Sequence, residues 1–266
     1  MQRYGRSYKS LHACEASETE QGYLQVNVVN SENNFPIQGA DVLIRYQGEE
    51  APEEVVQTNN SGQTESIAVK APPVALSLDE QNTIRPYSEY TVTVTAPGFE
   101  PVTVNGTEIL AGVTAIQPIR MIPAAEEQGT MEDIEIPDHT LYGTYPPKIA
   151  EEEIKPTNES GEIVLSRVVV PQTVVVHDGA PTDRTAKDYY VPYRDYIKNV
   201  ASSEIYSTWP RATITANVLA IMSFTLNRVY TEWYRNQGYD FTITSSTAFD
   251  HKWIYGRNIF ESISQI

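Results

Sequence analysis

The sequence holds one cysteine, Cys14, so no disulfide can form within the chain, and a cysteine-cluster metal site is excluded. The four histidines, His12, His139, His177 and His251, are scattered. None falls in HExxH or HxxxH spacing, so no zinc site is expected, and nothing signals an organic cofactor. No apolar run approaches the roughly 18 residues of a membrane-spanning helix. The opening stretch MQRYGRSYKSLHACEASETE carries basic side chains but lacks the apolar core of a secretory signal. The expectation is a protein not exported by that route, or one whose leader is already removed. Basic residues are also scarce, at 19 Lys and Arg against 35 Asp and Glu, for a net charge of −16. The imbalance lies in front: residues 1–180 hold 10 basic and 27 acidic residues, whereas residues 181–266 hold 9 and 8. Phosphate binding needs clustered Lys and Arg, so a nucleic-acid partner is not expected. The acidity reads as a solvated surface, or as a mask over the near-neutral back of the chain.

What the front does contain is period-two alternation. Residues 1–21 are polar and aperiodic and read as a disordered tail. From Tyr23 the segment YLQVNVV puts Leu24, Val26 and Val28 on one face, the pattern of a half-buried strand. Further strands are predicted at Val42–Ile44, Ile67–Val69, Val92–Val94, Val102–Val104 and in GVTAIQPIRMIP, separated by turns such as Asn60-Ser61-Gly62. Short one-sided strands without a helical pattern predict an antiparallel β-sandwich over residues 22–123. The motif pieces Pro36–Val42, Thr58–Thr64 and Tyr90–Phe99 resemble the carboxypeptidase-regulatory, prealbumin-like sandwich. That resemblance implies a spacer, binding or folding module. Some surface relatives carry a Lys–Asn isopeptide bond, but LQVNVVN offers no lysine for one.

Residues 124–163, acidic and rich in Pro and Gly, read as a linker. Val168–Val170 and Val174–Val176 then flank Pro171, either as an edge hairpin or as an exposed segment open to proteolysis. Two helices are predicted beyond them. One spans Arg194–Ile205. The other, of about 26 residues, starts with Pro210 at its first position and stops at Gly238. The whole is therefore expected to be an α+β multidomain protein, with a second, partial α+β domain over 164–266 built on a long helix. Glu204 sits near the end of the first helix among Ala201, Ser202, Ser203, Ile205, Tyr206 and Trp209, with no basic residue within four positions. Partial burial in such company would raise its pKa and suit it to general-acid work; the alternative is a solvent-facing helix glutamate.

Asp195-Tyr196, Val200-Ala201, Glu204, Trp209-Pro210 and the helix reaching Tyr230 resemble, in order and spacing, the start of the stage II sporulation protein D family of peptidoglycan enzymes. VPYRDYIKNVASSEIYSTWP and SFTLNRVYTEWYRNQGYDFTITSST resemble the spore cortex-lytic enzymes in particular. The resemblance implies that Glu204 is a lytic transglycosylase glutamate acting on peptidoglycan glycan strands. Such a residue protonates the glycosidic oxygen and then accepts the proton of the sugar's C6 hydroxyl as a 1,6-anhydro ring closes. Asp240 and Asp250 are the fallback partners if the enzyme hydrolyses instead. Tyr206, Trp209 and Tyr255, together with Asp250, are the candidate substrate contacts, with core packing as the alternative for each aromatic. The family continues with a Met-Ser-Gln-Trp-Gly type motif, so the second domain is expected to be truncated at Ile266. It also implies a spore location and a pro-region, the sandwich plus linker, removed by a germination protease within residues 160–176. The competing expectation is a non-catalytic spore or cell-surface binding module with a remnant lytic domain.

Overall fold

The computed structural model describes residues 19–124, 131–150 and 166–266. The expected tail up to residue 18, Cys14 included, lies outside the described residues, as do 125–130 and 151–165 of the expected linker and cleavage region. Glu20 and Gln21, assigned to the tail, already belong to the first strand.

The front of the chain is a β-sandwich. Its strands are β1 (Glu20–Asn30), β2 (Asp41–Tyr46), β3 (Glu54–Gln57), β4 (Ile67–Ala71), β5 (Ser88–Thr95), β6 (Val102–Ile109), β7 (Thr114–Met121) and β8 (Glu132–Glu135), with a short helix α1 (Ala75–Leu78) after β4. One sheet runs β3-β2-β5-β6-β8; β4, β1 and β7 belong to the other. Leu24, Val26 and Val28 of β1, and Val92 and Val94 of β5, are fully buried, so the alternation read in the sequence is the inward face of each sheet. The expectation of an antiparallel sandwich needs correction, because β1 runs parallel to β7 and β6 parallel to β8. Between β1 and β7 the chain crosses to the opposite sheet and back, so β7 enters in the same direction as β1. The linker reading also fails over Glu132–Glu135, which form an edge strand of the sandwich. Of its four residues only Ile134 is apolar; backbone pairing to β6 recruits it.

The back of the chain holds β9 (Thr173–His177), β10 (Asp188–Pro192), α2 (Tyr193–Glu204), α3 (Arg211–Tyr230), β11 (Ile243–Thr244), β12 (Ile259–Phe260) and α4 (Glu261–Ser264). β9 is the middle of a three-stranded sheet with β10 and β11, and Val168–Val170 are exposed irregular chain rather than part of a hairpin. Helix α2 forms where Tyr196, Ile197, Val200 and Ala201 give one buried stripe. Helix α3 has 20 residues and ends at Tyr230, short of the expected stop. Glu232 adopts φ 48°, and the chain re-enters a single 3₁₀ turn at Arg235–Gln237 that Gly238, at φ 87°, terminates. Pro210 is the residue capping α3, not its first member.

These parts share one core. β12 pairs antiparallel with β7 and so extends the sandwich's smaller sheet. Trp209 Nε1 donates to the Ser77 carbonyl on α1 at 3.0 Å, and the Ser77 and Thr208 hydroxyls meet at 2.7 Å. The strap after β8 crosses the seam as well: Thr140 N–H and hydroxyl both donate to the Ser203 carbonyl at the end of α2, and Ile149 N–H donates to Ala248 O. No helix among the described residues is long and apolar enough to cross a membrane.

Candidate functional site

Glu204 is the last residue of α2, with Ile205 already extended. Its side chain is 22% exposed. Oε1 accepts the Lys252 N–H at 2.6 Å, and Oε2 lies 3.0 Å from His251 Nδ1. The company expected from the neighbouring sequence, small and aromatic residues, is therefore not what contacts the carboxyl group. Its partners come from a segment 47 and 48 residues downstream. The His251 ring stands edge-on to Phe224 of α3 at 4.6 Å, and the imidazole Nε2 is enclosed without a hydrogen-bond partner among the described residues.

The segment carrying these partners is pinned on both sides. Asn199, one turn before Glu204 on α2, donates to the Ile254 carbonyl (2.8 Å) and accepts the Ile254 N–H (2.9 Å). On the other side, Asp250 accepts from Arg228 Nε at 2.8 Å, Tyr234 hydroxyl at 2.5 Å, and Thr244 N–H and hydroxyl at 2.9 and 2.7 Å. Burial beside Asp250 holds the Tyr234 phenol far above its ordinary range. Burial likewise draws the Lys252 ammonium below its usual value, partly offset by Asp178.

The other sequence-predicted residues fall in different places. Asp250 is buried with both oxygens occupied, which makes it a structural anchor of this loop. Asp240 is exposed, and no hydrogen bond ties it to Glu204. Tyr206 is buried against His139 (centroids 4.6 Å apart), and burial pushes its phenol up to about 12. Trp209 is taken up by the contact with α1 described above. Both sit at the seam between the sandwich and the back of the chain. Tyr255 borders an open groove. Its ring stacks on Tyr189 at 5.0 Å, its hydroxyl donates to Glu132 Oε1 at 3.0 Å, and burial pushes it up to about 12. Sequence reasoning missed His251, 47 residues beyond Glu204, and Asn199, on the same helix, because no motif ties either to the carboxyl group. Among the described residues no group of three or more His, Cys, Asp or Glu gathers as a metal site.

No protein family matches the chain, and no curated protein does. Among solved structures the chain is similar to the Bacillus anthracis TIE protein (14% identity, TM-score 0.28), over 40% of this chain and 17% of that one. It is also similar to the minor pilin of Streptococcus agalactiae (12%, 0.30), over 42% and 48%. A third likeness is to the 5-hydroxyisourate hydrolase of Klebsiella pneumoniae (16%, 0.27), over 39% and 92%. The chain thus spans about half or less of the first two proteins, and each likeness covers under half of this chain.

Proposed function

We propose that this chain is part of a spore cortex peptidoglycan-cleaving enzyme, of lytic transglycosylase or N-acetylmuramidase type, with Glu204 as its acid. The sequence resemblance over residues 164–266 suggests the activity. The observation that carries it is the fixing of Glu204: its oxygens are held by Lys252 N–H and His251, on a segment that Asn199 and Asp250 lock from either side. A general acid has to be held at a defined position, and its supporting shell has to be rigid. In its acid form the Glu204 carboxyl group delivers a proton to the glycosidic oxygen as the bond to the muramic acid unit breaks. The same carboxylate then takes the proton from the C6 hydroxyl, which attacks the anomeric carbon and closes the anhydro ring. The outcome with one carboxylate is favoured over hydrolysis at Asp250, whose oxygens are taken up by Arg228, Tyr234 and Thr244. In this reading an activating germination protease acts on the exposed stretch around Val168–Val170.

A specific observation favours the second reading, a glycan-binding module without catalysis. Glu204 is absent from the lining of the open groove that Tyr255 borders together with Tyr189 and Trp253. Cortex peptidoglycan incubated with the chain and with its Glu204→Gln variant distinguishes the two. Anhydro-muropeptides or new reducing ends released by the parent but not by the variant support cleavage. Co-sedimentation of both proteins with the glycan, without soluble products, supports binding alone.

A further inference from the structure

A groove of about 480 Å³ opens at the seam between the sandwich and the back of the chain. Glu132, Asp133, Ile134 and Glu135, the whole of β8, border it. Side chains of a strand alternate between faces, so four successive residues border one space only along the strand's edge. Among the described residues β8 is such an edge, with β6 as its one neighbour. The N–H groups of Glu132 and Ile136 bond the carbonyls of Pro101 and Asn105, toward β6. By the same alternation, the N–H groups of Asp133 and Glu135 point the other way, into the groove.

Lys187, Tyr189 and Lys252–Tyr255 line the groove as well. Tyr189 is the centre of an aromatic cluster, stacked on Tyr255 at 5.0 Å and tilted on Trp253 at 5.1 Å. Four carboxylates, Glu132, Asp133, Glu135 and Asp178, outnumber the two amines, Lys187 and Lys252. The Lys252 ammonium is itself engaged over the Tyr145 ring at 5.6 Å. Charged side chains alone on an edge strand serve to keep other chains away. Here a recess lined by Tyr189, Trp253 and Tyr255 lies beside the edge, and its charge is complementary to a cationic strand.

We propose that this groove takes an extended, lysine- or arginine-bearing polypeptide segment, which adds to β8 as a further strand. Its main chain pairs with Asp133 and Glu135, its basic side chains meet the carboxylates, and their aliphatic stems lie on Tyr189 and Tyr255. Four residues of such a strand span about 13 Å, in keeping with the length of β8. The inference is independent of any role for Glu204.

The test uses the whole chain, labelled with nitrogen-15. It is titrated with an acetylated alternating valine–lysine hexapeptide, with its valine–glutamate counterpart, and with the tetramer of N-acetylglucosamine. The expected result is that the lysine peptide alone shifts the amides of Asp133 and Glu135 and slows their hydrogen exchange. Affinity should fall by at least about 5-fold in Glu135→Lys, in Tyr189→Ala, and on raising the salt from about 50 to 500 mM. The proposal is overturned if the acidic peptide binds equally well, if the sugar tetramer occupies these amides instead, or if no ligand shifts them. Should a variant lose its native amide dispersion, the comparison of the two peptides and the salt series on the parent chain decide the matter.

Discussion

Arg257 grips Glu108 with both terminal guanidinium nitrogens, at 2.5 and 2.6 Å, and the two residues are 149 positions apart. Both are buried, and the same guanidinium also donates to the Ser202 carbonyl on α2 at 2.6 Å. Asn258, the next residue, exchanges hydrogen bonds with the Glu108 backbone in the manner of a strand neighbour. One short segment thus joins a sandwich strand, α2 and β12.

A buried ion pair adds little net stability over an apolar pair of the same shape, but removing one partner strands the other in a dry interior. Arg257→Met or Glu108→Leu alone should each cost about 3–5 kcal/mol, and the double replacement markedly less than the sum of the two. Urea denaturation of the four proteins measures this. Additive single effects would show that the pair does not act as a unit.

His139 supplies a pH prediction. It is fully buried on the ring of Tyr206, its Nδ1 accepts the Leu141 N–H at 3.2 Å, and burial together with the Arg257 charge holds its pKa well below the ordinary value. The native protein therefore resists a proton that the unfolded chain accepts near pH 6.5. The stability from this group is complete above about pH 6.5 and is lost as pH falls below it, by up to about 1.4 kcal/mol per pH unit. His139→Phe keeps the stack and removes the titration. Its stability measured from pH 7 to pH 5 should fall less steeply than the parent's; parallel curves would refute the assignment.

The strands were legible where one face is dry, because Leu24–Val28 and Val92–Val94 announce their period directly. Helices α2 and α3 were legible for the same reason. β8 was not, since Glu132, Asp133 and Glu135 contribute nothing apolar and the strand exists through its pairing with β6. The seam was illegible too. Arg257 and Glu108 look like surface residues until the fold brings them together, and Tyr206 and Trp209 read equally well as platforms or as core. For the candidate site the sequence singled out Glu204 by resemblance, but its partners His251 and Lys252 belong to a distant segment. The anchoring of Asp250 was illegible because nothing local signals that Arg228, Tyr234 and Thr244 converge on it.

Glutamine at position 204 retains an oxygen for the Lys252 N–H, so Glu204→Gln should leave the fold intact. If Glu204 is the acid, the same variant should lower glycan cleavage by about 10²–10⁴-fold. Glu204→Ala instead leaves the Lys252 N–H and His251 without an acceptor and should cost about 1–3 kcal/mol of stability as well. Thermal unfolding and muropeptide release, run on both variants, separate the two effects. Equal activity in Glu204→Gln and the parent would remove the residue from the chemistry.

The last prediction concerns what a cut before β9 would do. Val168, Val169 and Val170 are exposed and belong to no strand, so a protease can draw them into an extended conformation without first unfolding a sheet. Covalent separation is not release, however. β12 would still lie on β7, Arg257 on Glu108, and Trp209 on Ser77, with a shared apolar core beneath them. After limited proteolysis at this stretch the two fragments should elute together from a sizing column in native buffer and come apart only in denaturant. If that is so, the sandwich continues to support α2 and the Glu204 segment after cleavage, and any activation must come from movement of the cut ends. Fragments that separate spontaneously in native buffer would instead make the sandwich a detachable pro-region.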